Sequence, residues 1–123
     1  MLTIGVVAMG VDEMARAVEF WSAALDYRVR ETFLDGRWTT LGPVSGSGVA
    51  LGLMLSATAP RDRPRVHLDL DVADAAEQAA EVQRLVGLGA TVADWDLYPP
   101  DPDFVVLVDT EGNHFCIVDQ GHG

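Results

Sequence analysis

Apolar residues fill Leu2–Ala8 and predict a short buried strand. Asp12 then stands where a helix can be capped. Met14, Ala17, Val18, Trp21 and Leu25 recur at steps of three and four, which makes one face of an amphipathic helix. Asp26 falls where that helix should stop in a left-handed turn. Tyr27–Phe33 alternates as a strand does, and Asp35-Gly36 predicts a hairpin turn into Arg37–Leu41. The stretch GPVSGSG, residues 42–48, reads as a loop before a strand over Val49–Leu55.

Residues 56–64, SATAPRDRP, are polar and carry two prolines, the composition of a linker. Past them the pattern restarts. A strand is predicted over Arg65–Val72, and Asp74 with Glu77 forms a capping box. The helix it opens runs to about Leu88, where Gly89 stops it. Thr91–Leu97 reads as a strand, Tyr98–Asp103 (YPPDPD) as a turn region, and Phe104–Val108 and Asn113–Val118 as strands. The order strand, helix, strand, strand, strand thus occurs twice, at a period of roughly 60 residues. The fold class this predicts is α+β, with two βαβββ modules over residues 1–58 and 64–120 joined by 59–63. Each module would curve its sheet with a helix on one side, and the two concave faces would leave a cleft of the kind that holds ligands.

Parity along the strands says what such a cleft would contain. His67, Asp69 and Asp71 share one face, with Val66, Leu68, Leu70 and Val72 on the other. His114 and Cys116 likewise stand opposite Phe115 and Ile117. His67 beside a carboxylate suits a general acid or base near neutral pH, or a hydrogen-bonded histidine that shapes a pocket. Cys116 with a histidine nearby suits a nucleophile, or an inert small hydrophobe. Trp38, Phe33 and Trp95 read as pocket walls or as core. Asp94, Asp96, Asp101 and Asp103 read as an acidic rim or as a solvated loop, and His122 as part of a frayed tail. No phosphate-binding glycine loop and no serine-nucleophile elbow is present.

Composition narrows the partners. A chain of 123 residues, 49% of them hydrophobic, can bury a core in one domain or two small fused modules. A lone cysteine excludes an internal disulfide, and the N-terminal stretch lacks the features of a signal peptide, so a cytoplasmic location is expected. No apolar run approaches the ~20 residues of a membrane span. The net charge of −11 is uneven: residues 1–61 carry six acids and five arginines, residues 62–123 thirteen and three, and there is no lysine. Nucleic acid and anionic membranes are not expected as partners, whereas a cationic ligand would be attracted.

Three stretches carry a resemblance: VEFWSAALDY (18–27), VHLDLDV (66–72) with LVGLGATV (85–92) after it, and DTEGNHFCIV (109–118). With the doubled pattern, the chain resembles the vicinal oxygen chelate superfamily, the glyoxalase, bleomycin-resistance and extradiol-dioxygenase group. It is most similar to the small glyoxalase-like branch, although Asp26 stands where that family usually has glycine. The resemblance implies a divalent ion held by four side chains, one on the first and one on the last strand of each module. His67 matches one of these, and Cys116 stands where the family has glutamate. Gly5 or Val6, and Leu51 or Gly52, fill the other two positions and donate nothing.

Two ligands are too few for a tight site, since His67 and Cys116 would need help from His114, Asp69 or a bound substrate, so no metal or other cofactor is expected. The resemblance then implies a small organic ligand, cationic or aromatic, bound without a tightly held metal as in drug or natural-product sequestration. Its contacts would be Trp38, Leu51, Leu53, Trp95, His114 and Cys116. The alternative is a metal-independent lyase, isomerase or cyclase with His67 and Asp69 as the catalytic pair. Glyoxalase I and ring-cleaving dioxygenase activities are not expected, because both need the metal. The family also implies a homodimer.

Overall fold

The doubled pattern folds as two units, Met1–Ala59 and Pro60–Gly123, in a computed structural model that describes residues 1–123. The first unit contains β1 (Val6–Val11), α1 (Met14–Leu25), β2 (Tyr27–Phe33), β3 (Trp38–Pro43) and β4 (Ala50–Leu55). Its sheet has the order β1-β4-β3-β2, with β1 parallel to β4 and the other neighbours antiparallel. Ala17, Phe20 and Trp21 on one face of α1 are buried, and α1 contacts β2, β3 and β4. Asp26 ends the helix in the left-handed region (φ 54°), where its N–H donates to the Ser22 carbonyl.

Two boundaries in this unit differ from expectation. β1 begins at Val6 and runs to Val11, because that is the stretch in register with Ala50–Leu55. Residues 1–5 are exposed. Glu13, not Asp12, occupies the N-cap position of α1, and its side chain makes no capping hydrogen bond. The helix is held by its buried face instead, since tertiary packing outweighs a missing cap of about 1 kcal/mol.

The second unit contains β5 (Leu68–Val72), α2 (Ala75–Gly87), β6 (Thr91–Val92), β7 (Phe104–Val108) and β8 (His114–Asp119). Its sheet repeats the topology as β5-β8-β7-β6, again with one parallel pair, β5 with β8. The capping box forms: Asp74 Oδ1 accepts from the Glu77 N–H at 2.8 Å, and Glu77 Oε2 accepts from the Ala73 N–H at 3.1 Å. Val72, Leu85, Leu107, Phe115 and Ile117 are buried and make the core of this unit. The fold class is therefore α+β.

Strand β6 is two residues long, not seven. A longer β6 would have used the Val106 N–H, but the Tyr98 hydroxyl accepts that hydrogen bond at 2.8 Å. Residues past Ala93 thus leave the sheet as an irregular segment that carries Trp95 and Leu97. The DTEGN turn between β7 and β8 is organised by Asp109, which is 4% exposed. Its Oδ1 accepts from the Glu111 and Asn113 backbone N–H groups, each at 2.8 Å, and Gly112 supplies the positive φ of 87° that the turn needs. His122 is tied down, with Nε2 at 3.1 Å from both the carbonyl and the carboxylate Oδ2 of Asp101.

Candidate functional site

In the first unit the register separates the expected ligand contacts. Leu51 and Leu53 pair with Leu41 and Thr39, and all four are at most 3% exposed. Both leucines belong to the core, which corrects their assignment as ligand contacts. Trp38 stands on the opposite face. Its indole stacks on Phe33 at 5.9 Å between centroids and donates from Nε1 to Thr40 Oγ1 at 2.8 Å. The ring also lies over Gly52, where an added Cβ would come within 2.5 Å of it. The seat of the half-buried Trp38 ring therefore requires glycine at position 52 on the neighbouring strand.

The second unit assembles the polar residues. Asp69 on β5 is in register with Cys116 on β8, and Cys116 with Val106 on β7, so the three form one row across the sheet. Two residues before Asp69 and Cys116 come His67, just ahead of β5, and His114, the first residue of β8, which stands opposite Phe115 and Ile117. The face bearing this row is the floor of a cavity of about 360 Å³. Trp95, Leu97, Phe104, Val106 and Val118 supply its apolar walls, and His67, Asp69, Asp103, His114 and Cys116 its polar groups. No arginine lines it, and two carboxylates do. Phe104, Val106, Val118 and Leu97 were missed from the sequence. Parity along β7 and β8 carries the signal for the first three.

Three side chains converge at the polar end. His67 Nδ1 is 3.0 Å from Asp69 Oδ1, a separation that has the imidazole N–H donating to the carboxylate. This hydrogen bond leaves the lone pair of the neutral ring on Nε2. Cys116 also hydrogen-bonds Asp69, and one ligand atom from each of the three residues lies within 4.8 Å of the others. Burial pushes the Cys116 thiol up to about 11, helped by the negative charge of Asp69 and the hydrogen bond to it. At neutral pH Cys116 is therefore a protonated thiol and not a nucleophile. His114 is tilted against Trp95, with 5.9 Å between ring centroids, and its Nδ1 is buried without a hydrogen-bond partner.

Of the acidic residues expected at a rim, Asp103 alone lines this cavity. Asp96 pairs with Arg63, and Asp101 with His122. Asp94 and Asp96 belong to a second, more open concavity with residues 60–63.

The doubled βαβββ topology is that of the vicinal oxygen chelate class. The chain belongs to the glyoxalase-like domain family, whose model matches residues 6–118. No curated protein matches it. Among solved structures it is similar to a glyoxalase-related enzyme from Fulvimarina pelagi, at 17% identity and TM-score 0.72 over 98% of this chain and 89% of that one. A glyoxalase/bleomycin resistance protein/dioxygenase family enzyme from Burkholderia phytofirmans PsJN aligns at 16% identity and TM-score 0.74, over 96% of this chain and 98% of that one. A mutant of a fosfomycin resistance protein from Listeria monocytogenes, complexed with Mn(II) and 1S,2S-dihydroxypropylphosphonic acid, aligns at 10% identity and TM-score 0.74, covering 100% and 92%.

The four-ligand metal scheme implied by the family does not fit this chain. Gly5, Val6, Leu51 and Gly52 carry no donor atoms on their side chains. No helix is long and apolar enough to cross a membrane.

Proposed function

We propose that the second unit binds a small organic molecule in its cavity by a mode that needs no metal. The molecule is an aromatic or apolar body bearing a neutral or cationic polar group, as an aromatic amine does. The observation that carries this reading is the lining itself, apolar along its walls and ending in the His67–Asp69–Cys116 cluster. A volume of about 360 Å³ is near the lower end of small-molecule pockets, so the ligand is compact. Two carboxylates with no arginine among the lining favour a cation over an anion.

The test is ligand-observed NMR on the full chain in excess EDTA, with panels of aromatic amines and matched aromatic carboxylates. Saturable binding of amines is expected, and Val118→Trp, which fills the cavity, should abolish it. No saturable binding from either panel, or undiminished binding to V118W, would refute the reading.

The His67–Asp69 hydrogen bond favours a second reading, a metal-independent lyase, isomerase or cyclase. With Nδ1–H donated to Asp69, Nε2 can take a proton from a carbon beside a carbonyl, and the carboxylate stabilises the imidazolium that forms. For a compound that is both bound and turned over, His67→Ala should slow the reaction by roughly 10²–10⁴ while affinity survives. Unchanged turnover would remove His67 from the chemistry.

A further inference from the structure

We propose that His114, packed against Trp95, recognises the linking group of an elongated ligand where the cavity already described meets the outer concavity beyond it. Both hollows belong to the second unit, and they meet at one pair of side chains: Trp95 and His114 line both, and no other residue does. Cys116 lies two positions along β8 from His114 on the same face, so the polar end of the inner cavity is about 7 Å from this junction. His114 Nδ1 is the only buried side-chain nitrogen or oxygen of the chain without a hydrogen-bond partner. Such an atom has given up water and gained nothing in return, and a ligand group that reaches it recovers the loss.

Reaching Nδ1 requires a neighbour to move, and Trp95 is the least restrained of them. Val108 and Thr91, in line with His114 across the sheet, are held by strand pairing. Trp95 stands past Ala93, whose N–H donates to the Val106 carbonyl at 3.0 Å, and before Tyr98, whose hydroxyl accepts from the Val106 N–H. Between those two points the exposed Arg63–Asp96 ion pair is a weak restraint. The junction also sets the chemistry of the linking group. Nδ1 of a neutral imidazole donates or accepts according to its tautomer, and a hydroxyl serves either. Arg61, Arg63, Asp62, Asp94 and Asp96 line the outer concavity, so what lies beyond is a polar tail and not a second apolar body. This inference rests on the amine reading above: the amine sits at the polar end, and its N-substituent carries the hydroxyl past Trp95. The ligand class is therefore a secondary aromatic amine with a hydroxylated arm.

The experiment measures dissociation constants for benzylamine, N-hydroxypropylbenzylamine and N-butylbenzylamine on the full chain by NMR, in excess EDTA. It also follows the Trp95 indole N–H signal, assigned with Trp95→Phe. The hydroxylated amine should bind roughly threefold to tenfold more tightly than its butyl counterpart, the worth of one hydrogen bond. His114→Phe keeps a ring against Trp95 and removes its nitrogens, so it should bring the two within about twofold. Asp101→Asn, at the separate His122 contact, should leave the preference as it is. The Trp95 signal should shift far more with the hydroxylated amine than with benzylamine. The comparison of the two long amines is made in the native protein, so it stands whether or not the variant folds. Saturable benzylamine binding without a preference for the hydroxyl, a preference that survives in H114F, or a Trp95 signal that moves equally with benzylamine would each overturn this inference and leave the amine reading in place. No saturable binding of any of the three overturns both.

Discussion

Alkylation of Cys116 reads the electrostatics of this site directly. The thiolate is the reactive form, so the rate follows its population. With its ionisation pushed up from 9.0 to about 11, the thiol is about one-thousandth ionised at pH 8. A thiol at 9.0 would be about one-tenth ionised at that pH, so the native protein should react roughly a hundredfold more slowly than an ordinary thiol. Burial at 8% exposure slows it further, and the rate should rise about tenfold per pH unit from 8 to 10. Asp69→Asn removes the charge and keeps the volume. Burial, the largest cause of the shift, remains, so the variant should react faster at pH 8 but by less than about a hundredfold. Iodoacetamide labelling followed by intact-protein mass spectrometry measures this, with a low-urea series to separate native reaction from opening. Native labelling at pH 8 as fast as that of a small thiol, a plateau below pH 9, or slower reaction in D69N would refute the account.

Other consequences are measured by stability. Because the folded state raises the Cys116 ionisation, the thiol's contribution is complete below pH 9 and is lost as pH rises from 9 towards 11. Denaturant midpoints should therefore fall over that window, by up to about 3 kcal/mol, and the C116A protein should lack this part of the fall. Asp109→Ala leaves the Glu111 and Asn113 N–H groups without their carboxylate acceptor, and should cost about 2–4 kcal/mol in urea unfolding. Gly52→Ala places a methyl 2.5 Å from the Trp38 ring and should destabilise by about 1–3 kcal/mol, with a shift in tryptophan emission. Asp74→Ala removes a made cap and should cost about 1 kcal/mol by the same unfolding assay.

The second unit was more legible in the sequence than the first, for a reason visible in its strands. LDLDV alternates chemically and HFCIV sets His114 and Cys116 against Phe115 and Ile117, so parity sorts the two faces of each strand. ALGLML over β4 is apolar at every position, and its facing is set by its pairing with β1 and β3. That is why Leu51 and Leu53 read as pocket contacts until the register with Leu41 and Thr39 placed them in the core. The length of β6 was illegible for a different reason. A tyrosine hydroxyl at position 98 takes the hydrogen bond that a further strand residue would have made, a substitution no strand propensity records.

The same limit hid the role of Asp69. From the strand alone it is a neighbour of His67, two residues along one face. Its proximity to Cys116 depends on the parallel pairing of β5 with β8, which joins residues 47 apart in sequence. That pairing makes one carboxylate the partner of both an imidazole and a thiol. Asp69 orients His67 through Nδ1 and adds to the burial that keeps the Cys116 thiol neutral. Asp69→Asn weakens the hydrogen bond to His67 yet leaves the cavity's apolar walls intact, so ligand binding that depends on shape alone should survive it in the same NMR titration.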